Sequence, residues 1–282
     1  MPRPPAAPVP PLEFVRRHDH DRFLVSLLAP ADRRADLWAL LAFNLEIARV
    51  REAVSQPIIG QIRLQWWRDA LDEIYTGKLV RRHEVVDPLA AAIAKYRLTR
   101  THFDTLIDGR DFDLGDEPPA SLAALETYLE KTSSRLIDLQ LEILGVEAPA
   151  AFEAARPVGV AWGLIGLVRA LPFHVRHGRV YLPADLMAAA GVDQAALKGG
   201  KGSSATATVV RQMTERAEAL LVQARALKVP RTAVPALLLA APGRLYLRRL
   251  ASAAHDPFDP RIQAPDPWAV PRLVVARLAA II

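Results

Sequence analysis

Apolar residues recur at helical spacing along almost the whole chain, and no run alternates with period two for more than a few residues. Such a chain has no sheet to build on and must fold as packed helices. Between Asp36 and Val54 a wide stripe of Leu37, Leu40, Leu41, Leu45, Ile47, Ala48 and Val54 stops ahead of Pro57. Ile58, Ile62, Trp66, Ala70 and Ile74 follow at four-residue spacing, with Gly77 as a stop, and predict a second helix over 58–75. Further helices are expected over 87–107, opened by Asp87-Pro88, and over 121–144, capped by Ser121. The segment 149–171 is apolar nearly all round and therefore central. Shorter or more polar helices are expected over 185–190, 205–227 and 235–254, with a final amphipathic piece over 267–281. DGRDFDLGDEPP at 108–119 and KGGKGSS at 198–204 read as loops. The proline-rich start, residues 1–18, reads as an extended tail ahead of a single all-α domain spanning 19–282.

With 51% of its 282 residues apolar, the chain has ample material for a core. Six lysines among 36 basic residues leave 30 arginines, so the net charge of +5 sits on groups that stay ionised. That excess suits an anionic ligand, membrane headgroups or an acidic partner. Without a basic stripe interleaved with exposed aromatics, no nucleic acid is expected as partner. The absence of cysteine excludes a disulfide scaffold, a thiolate metal site and a cysteine nucleophile. No apolar run near the start fits a signal-peptide core, and none elsewhere approaches the roughly 20 residues of a membrane span. A cytoplasmic location is expected, with peripheral contact at the inner face of the membrane left open.

Two helical segments draw attention. On one, Ala48 and Glu52 lie four apart beside Arg49 and Arg51; on the other, Ala170 and His174 lie four apart, with His177 three further on. His174 and His177 read as a hydrogen-bonded pair at a helix end rather than metal ligands. In His18-Asp19-His20-Asp21, a helix cap by Asp19 or Asp21 is the expected role. Trp66 and Trp67 point about 100° apart on a helix, so Trp66 is expected in the core and Trp67 at the surface as a partner contact. The carboxylates of Asp108, Asp111, Asp113, Asp116 and Glu117 are expected to cap the next helix and sit in water.

ALLAFNLEIARVRE, IIGQIRLQWWRDALDEIYTG, IDGRDFDLGDE and HGRVYLPADL, within residues 19–250, resemble the squalene/phytoene synthase family. The resemblance implies an isoprenoid-synthase-like helical bundle around a central cavity. Active members of that family carry Asp-Asp-x-x-Asp and Asp-x-x-x-Asp motifs, whose carboxylates bridge Mg²⁺ to a prenyl diphosphate. Aligned on Phe43 and Gly178, those positions are Ala48, Arg49 and Glu52 on one helix and Ala170 and His174 on the other. Four of the five aspartates are replaced by non-acids. Mg²⁺ demands hard oxygen ligands, and Arg49 would repel it. Asp113 does match an aspartate of the family pattern.

Phe43, Asn44, Glu46, Arg169, Ala170, Pro172, Phe173 and His174 are similar to a narrower branch, the respiratory complex I assembly factors of phytoene-synthase fold. That likeness implies a non-catalytic assembly factor with no cofactor, acting on a complex I subunit or assembly intermediate. The alternative is a head-to-head prenyl transferase that uses Mg²⁺, with Glu52, Asp113 and arginines standing in for the aspartates; a lipid-binding module is a third. Arg49, Arg51, Arg169, Arg176 and Arg179 would rim the old diphosphate cavity. They would either hold a prenyl or other anionic lipid without metal, or pair with Glu46, Glu52 and Asp185. The last stretch would close the domain or lie on a membrane with Arg272 and Arg277 among the headgroups.

Overall fold

The structure is a computed structural model and describes residues 10–54, 56–200, 202–280 and 282. Among them are fifteen α-helices and no strand. The first half comprises α1 (Pro11–His18), α2 (His20–Ser26), α3 (Arg34–Ala48), α4 (Pro57–Thr76), α5 (Val86–Tyr96), α6 (Arg100–Arg110), α7 (Leu122–Leu129) and α8 (Arg135–Ile143). The second comprises α9 (Pro149–Arg176), α10 (Ala184–Ala190), α11 (Gln194–Lys198), α12 (Ser204–Ala226), α13 (Val234–Leu237), α14 (Ala240–Ser252) and α15 (Ala269–Leu278).

Helix α9 is the axis. By length and composition it could cross a membrane, yet α8, α12 and α14 pack around it and bury Ala154, Val158, Ala161, Leu164 and Ile165 completely. Gly159 allows its closest approach: a Cβ there would lie 2.6 Å from Ser134 Cα. Ser134 ends a π-helical turn, Glu130–Ser134, that joins α7 to α8 and breaks the single helix expected over 121–144. One apolar cluster forms around α9, and a second unites α3 with α4, α5 and α6.

Several boundaries depart from the sequence reading. The structured domain starts before residue 19, because Pro11–His18 is a helix with Val15 fully buried, packed on α3. Pro11 fits there, since the first helical turn needs no N–H donor. Residues 1–9 of the expected tail lie outside the described residues. The helix expected over 87–107 breaks at Arg97, which takes a left-handed φ of 53° where no glycine announces a stop. The last turn of α6 and a 3₁₀ turn, Asp111–Leu114, carry helical backbone into the expected loop 108–119. The helix expected over 235–254 is divided between α13 and α14. In the expected loop 198–204, Lys198 closes α11, Ser203 caps α12, and Lys201 lies outside the described residues.

The roles of the two tryptophans are reversed. Trp67 is 4% exposed and meets Phe43 edge-on at 5.2 Å, whereas Trp66 is half-buried and Ile58 and Ile62 face solvent. Four-residue spacing gains about 40° per step, so a row from Ile58 to Ile74 rotates by about 160° and cannot keep one face. Trp67 is a core residue and not an exposed partner anchor.

Candidate functional site

Helices α2, α3, α7, α9, α14 and α15 enclose a cavity of about 1070 Å³. Ala48 and Arg49 reach it from the end of α3, Glu52 from the turn that follows, and Ala170 and His174 from the last turns of α9. The two helices singled out in the sequence therefore do face one space. Its apolar part is lined by Leu24, Leu45, Leu129, Trp162, Leu167 and Leu245, together with Gly163 and Gly166 of α9.

Five carboxylates line this cavity, and each is held by an arginine. Asp19 pairs with Arg22 (2.6 Å), Asp21 with Arg169 (3.2 Å), Glu52 with Arg49 (3.6 Å), Asp113 with Arg110 (3.3 Å) and Asp266 with Arg272 (2.7 Å). Most are engaged further. Asp19 also caps α2, accepting from the Arg22 backbone N–H, as the sequence predicts. Tyr246 donates to both oxygens of Asp21 at 3.0 Å, and the Arg169 guanidinium lies 3.4 Å from the Tyr246 ring centre. Buried Asp113 accepts from the hydroxyls of Tyr128 (2.8 Å) and Tyr181 (2.7 Å), so it does not sit in water as expected.

A divalent-cation site needs carboxylate oxygens free to bridge metal and ligand. Ala48, Arg49, Ala170 and His174 offer none, and the carboxylates nearby are committed to arginine and tyrosine. No cluster of three or more histidine or acidic residues able to hold a metal exists among the described residues. The residues present do not fit the Mg²⁺ chemistry of the family's enzymes.

His174 packs edge-on against Tyr181 at 4.9 Å. Burial lowers its pKa to about 4, over the opposing influence of Asp113, so the ring is neutral at physiological pH. The expected His174–His177 hydrogen bond is not formed: His177 Nδ1 lies 2.8 Å from the Phe173 carbonyl oxygen, and its ring lies against Phe173.

Of the five candidate rim arginines, Arg49, Arg51, Arg169 and Arg179 line the cavity. Arg176 does not; it is the exposed last residue of α9, between His174 and His177, which do. Among the expected acidic partners only Glu52 is used, by Arg49. Arg51 reaches Asp116 at 3.1 Å, while Asp185 accepts from the Leu186 backbone N–H. Arg179 is 5% exposed, lies over Phe112 and Tyr181, and donates to the carbonyls of Gly115 and Phe112, pinning that loop to the wall.

Among the described residues, six buried side-chain polar atoms find no hydrogen-bond partner: Nε of Arg22, Arg110, Arg169 and Arg179, Oδ1 of Asn44 and Oγ of Ser133. All six residues line the cavity. Four of the atoms are pure donors, so the wall presents unmet demand for hydrogen-bond acceptors. Asp21, Tyr246, Arg22 and Arg110 have no place in the sequence-derived site. Asp21 and Tyr246 are 225 residues apart, and nothing local marks their meeting.

The squalene/phytoene synthase family profile matches residues 15–269. A bovine protein, "NADH dehydrogenase (ubiquinone) complex I, assembly factor 6", is 34% identical over 254 residues, covering 89% of this chain and 76% of that protein. Maize "Phytoene synthase 3, chloroplastic" is 23% identical over 220 residues, covering 75% and 51% of the two chains. A crystal structure of a dehydrosqualene synthase in complex with ligand superposes with a TM-score of 0.82 at 18% identity, covering 96% of this chain and 94% of that one. This last likeness concerns the fold.

Proposed function

The chain belongs to the squalene/phytoene synthase family, and from that membership we propose that it is a non-catalytic member acting in the assembly of respiratory complex I. The observation that carries this reading is the arginine partner on each carboxylate of the cavity wall. A prenyl transferase must stabilise a departing pyrophosphate, and metal ions clamped by free carboxylates supply that stabilisation. Here the same space is braced by internal ion pairs. The identity to a protein named for complex I assembly supports the partner, a complex I subunit or an assembly intermediate; in this proposal they meet at the inner face of the membrane.

The cavity retains a ligand role in this proposal. An apolar chain would lie along α9, and an acceptor-bearing anionic head, as on a prenyl or other anionic lipid, would meet the unpartnered Nε–H groups directly, with no cation between.

An assembly factor limits how much complex matures and leaves its chemistry untouched. Deleting the gene is expected to lower mature complex I on a native gel, and membrane NADH-dependent quinone reduction with it, while squalene, hopanoid and carotenoid pools stay unchanged. Full complex I with a missing isoprenoid product would overturn the proposal in favour of a transferase.

A further inference from the structure

From Ala219 to His255 the chain contains no aspartate or glutamate, yet six cations fall there: Arg225, Lys228, Arg231, Arg244, Arg248 and Arg249. They outnumber the net charge of the whole molecule, +5. None has an aspartate or glutamate partner among the described residues, whereas Arg22, Arg49, Arg110, Arg169 and Arg272 around the cavity are all paired. Arg244 and Arg249 reach only main-chain oxygens, of Ile282 and of Ala264 and Pro265.

The fold gathers these charges. Arg225, at the end of α12, and Arg248, one turn beyond Arg244 on α14, lie close enough to add to the effect of burial in lowering the Arg244 pKa. The nearest acid along α12, Glu218, is about two turns before Arg225. Arg225, Lys228, Arg231 and Arg248 are exposed.

The neighbouring helix extends the same face. Residues 267–282 include Arg277 and Arg272, the latter paired with Asp266, and no aspartate or glutamate. Helix α15 packs on α14 and buries Leu273 and Ala276, but Val270, Val275 and Leu278, with Trp268 just ahead of the helix, are each more than half exposed. The bond from Arg244 to the main-chain oxygen of Ile282 (2.7 Å) ties the end of this segment to the arginine cluster. On their other sides the same helices wall the cavity, α14 through Leu245 and Tyr246 and α15 through Ala269 and Leu273.

A surface with cations that no aspartate or glutamate pairs and with an apolar strip, lying on the outer side of a cavity wall, matches the chemistry of an anionic bilayer: phosphates for the guanidinium groups, and the headgroup–acyl boundary for valine, leucine and tryptophan. We propose that the face formed by α14, α15 and the end of α12 docks the protein on a membrane surface rich in anionic headgroups, with the cavity directly behind it. This deepens the assembly role by naming the surface that meets the membrane.

The test is co-sedimentation of the purified full chain with vesicles of phosphatidylcholine alone or mixed with phosphatidylglycerol. Binding is expected only to the mixed vesicles and is expected to vanish at high salt, where the charges are screened. Arg225→Gln with Arg248→Gln removes two exposed cations whose side chains make no hydrogen bond or ion pair among the described residues. At about fivefold per cation the double variant should partition about 25-fold more weakly. Val275→Ser with Leu278→Ser should also weaken binding while keeping the dependence on phosphatidylglycerol. Absence of binding to mixed vesicles, as expected if the face serves an acidic protein, equal binding to phosphatidylcholine alone, or variants that bind like the parent would each overturn the proposal. The assay contains no complex I, so its failure leaves the assembly role standing. A deletion strain with normal complex I would likewise leave the membrane face standing.

Discussion

His174 occupies a position where active relatives of this fold are expected to carry a metal-binding aspartate, and its ionisation gives the cavity a measurable pH signature. Burial holds the ring at about 4, against an ordinary 6.5. A base whose pKa is depressed in the folded state takes its proton first in the unfolded chain. Its contribution to stability is therefore complete above pH 6.5 and is lost as pH falls toward 4. Near pH 5 the unfolded imidazole is almost fully protonated and the native one only about a tenth so, and linkage then removes about 2 kcal/mol relative to pH 7.5. Asp138 masks part of this. Burial raises its pKa to about 6, so it takes up a proton in the native state and gains stability over the same interval. The difference between parent and a His174→Gln variant isolates the histidine, because Asp138 and the other histidines are common to both. Urea unfolding followed by tryptophan fluorescence at pH 7.5 and about pH 5 is the assay. The variant should gain about 2 kcal/mol on the parent between the two conditions. A difference in stability that stays the same at both would refute the argument that His174 is held neutral by its surroundings.

Two further outcomes are expected. Trp67→Ala should lower the melting temperature and cost about 3–5 kcal/mol in denaturant unfolding, as truncation of a large core aromatic does, because the edge-on packing against Phe43 disappears and a void takes its place; a near-neutral change would return Trp67 to the surface. A prenyl monophosphate should raise the melting temperature without any divalent cation, by mass action on the native state, and farnesyl diphosphate with Mg²⁺ should release no pyrophosphate above a blank. An unchanged melting curve at saturating ligand would count against the lipid site, and turnover abolished by Glu52→Gln would restore the enzyme reading.

The helical class and the central place of α9 are legible in the sequence because 3.6-residue periodicity and an apolar run both register locally. The convergence of Ala48, Glu52, Ala170 and His174 on one space follows from resemblance, since no local signal relates positions more than a hundred residues apart. What escapes has identifiable causes. The break at Arg97 uses a left-handed arginine where a glycine would have marked the turn. The π-helical turn at 130–134 leaves the apolar pattern intact and shows only through the close approach of Gly159 to Ser134. The four-residue row on α4 passes for one face because its drift accumulates slowly. Asp19, Glu52 and Asp113 each pair with an arginine three residues away, but the partners of Asp21 depend on long-range packing: Tyr246 and Arg169 meet it from α14 and α9.

On the proposed non-catalytic reading, the five arginine–carboxylate pairs would make catalysis hard to regain. Restoring a single aspartate at position 48 or 170 would place an additional anion in a wall whose cations are already committed, and a lone carboxylate still falls short of a metal-binding cluster. Each reversion taken alone therefore costs stability without returning activity. Removing Arg22 or Arg110 first would strand the largely buried acid it holds, which is costly in its own right. On that reading, selection acting on one substitution at a time would meet a loss in either order, and a lineage with this arrangement would be held to it, free to elaborate binding at its surface.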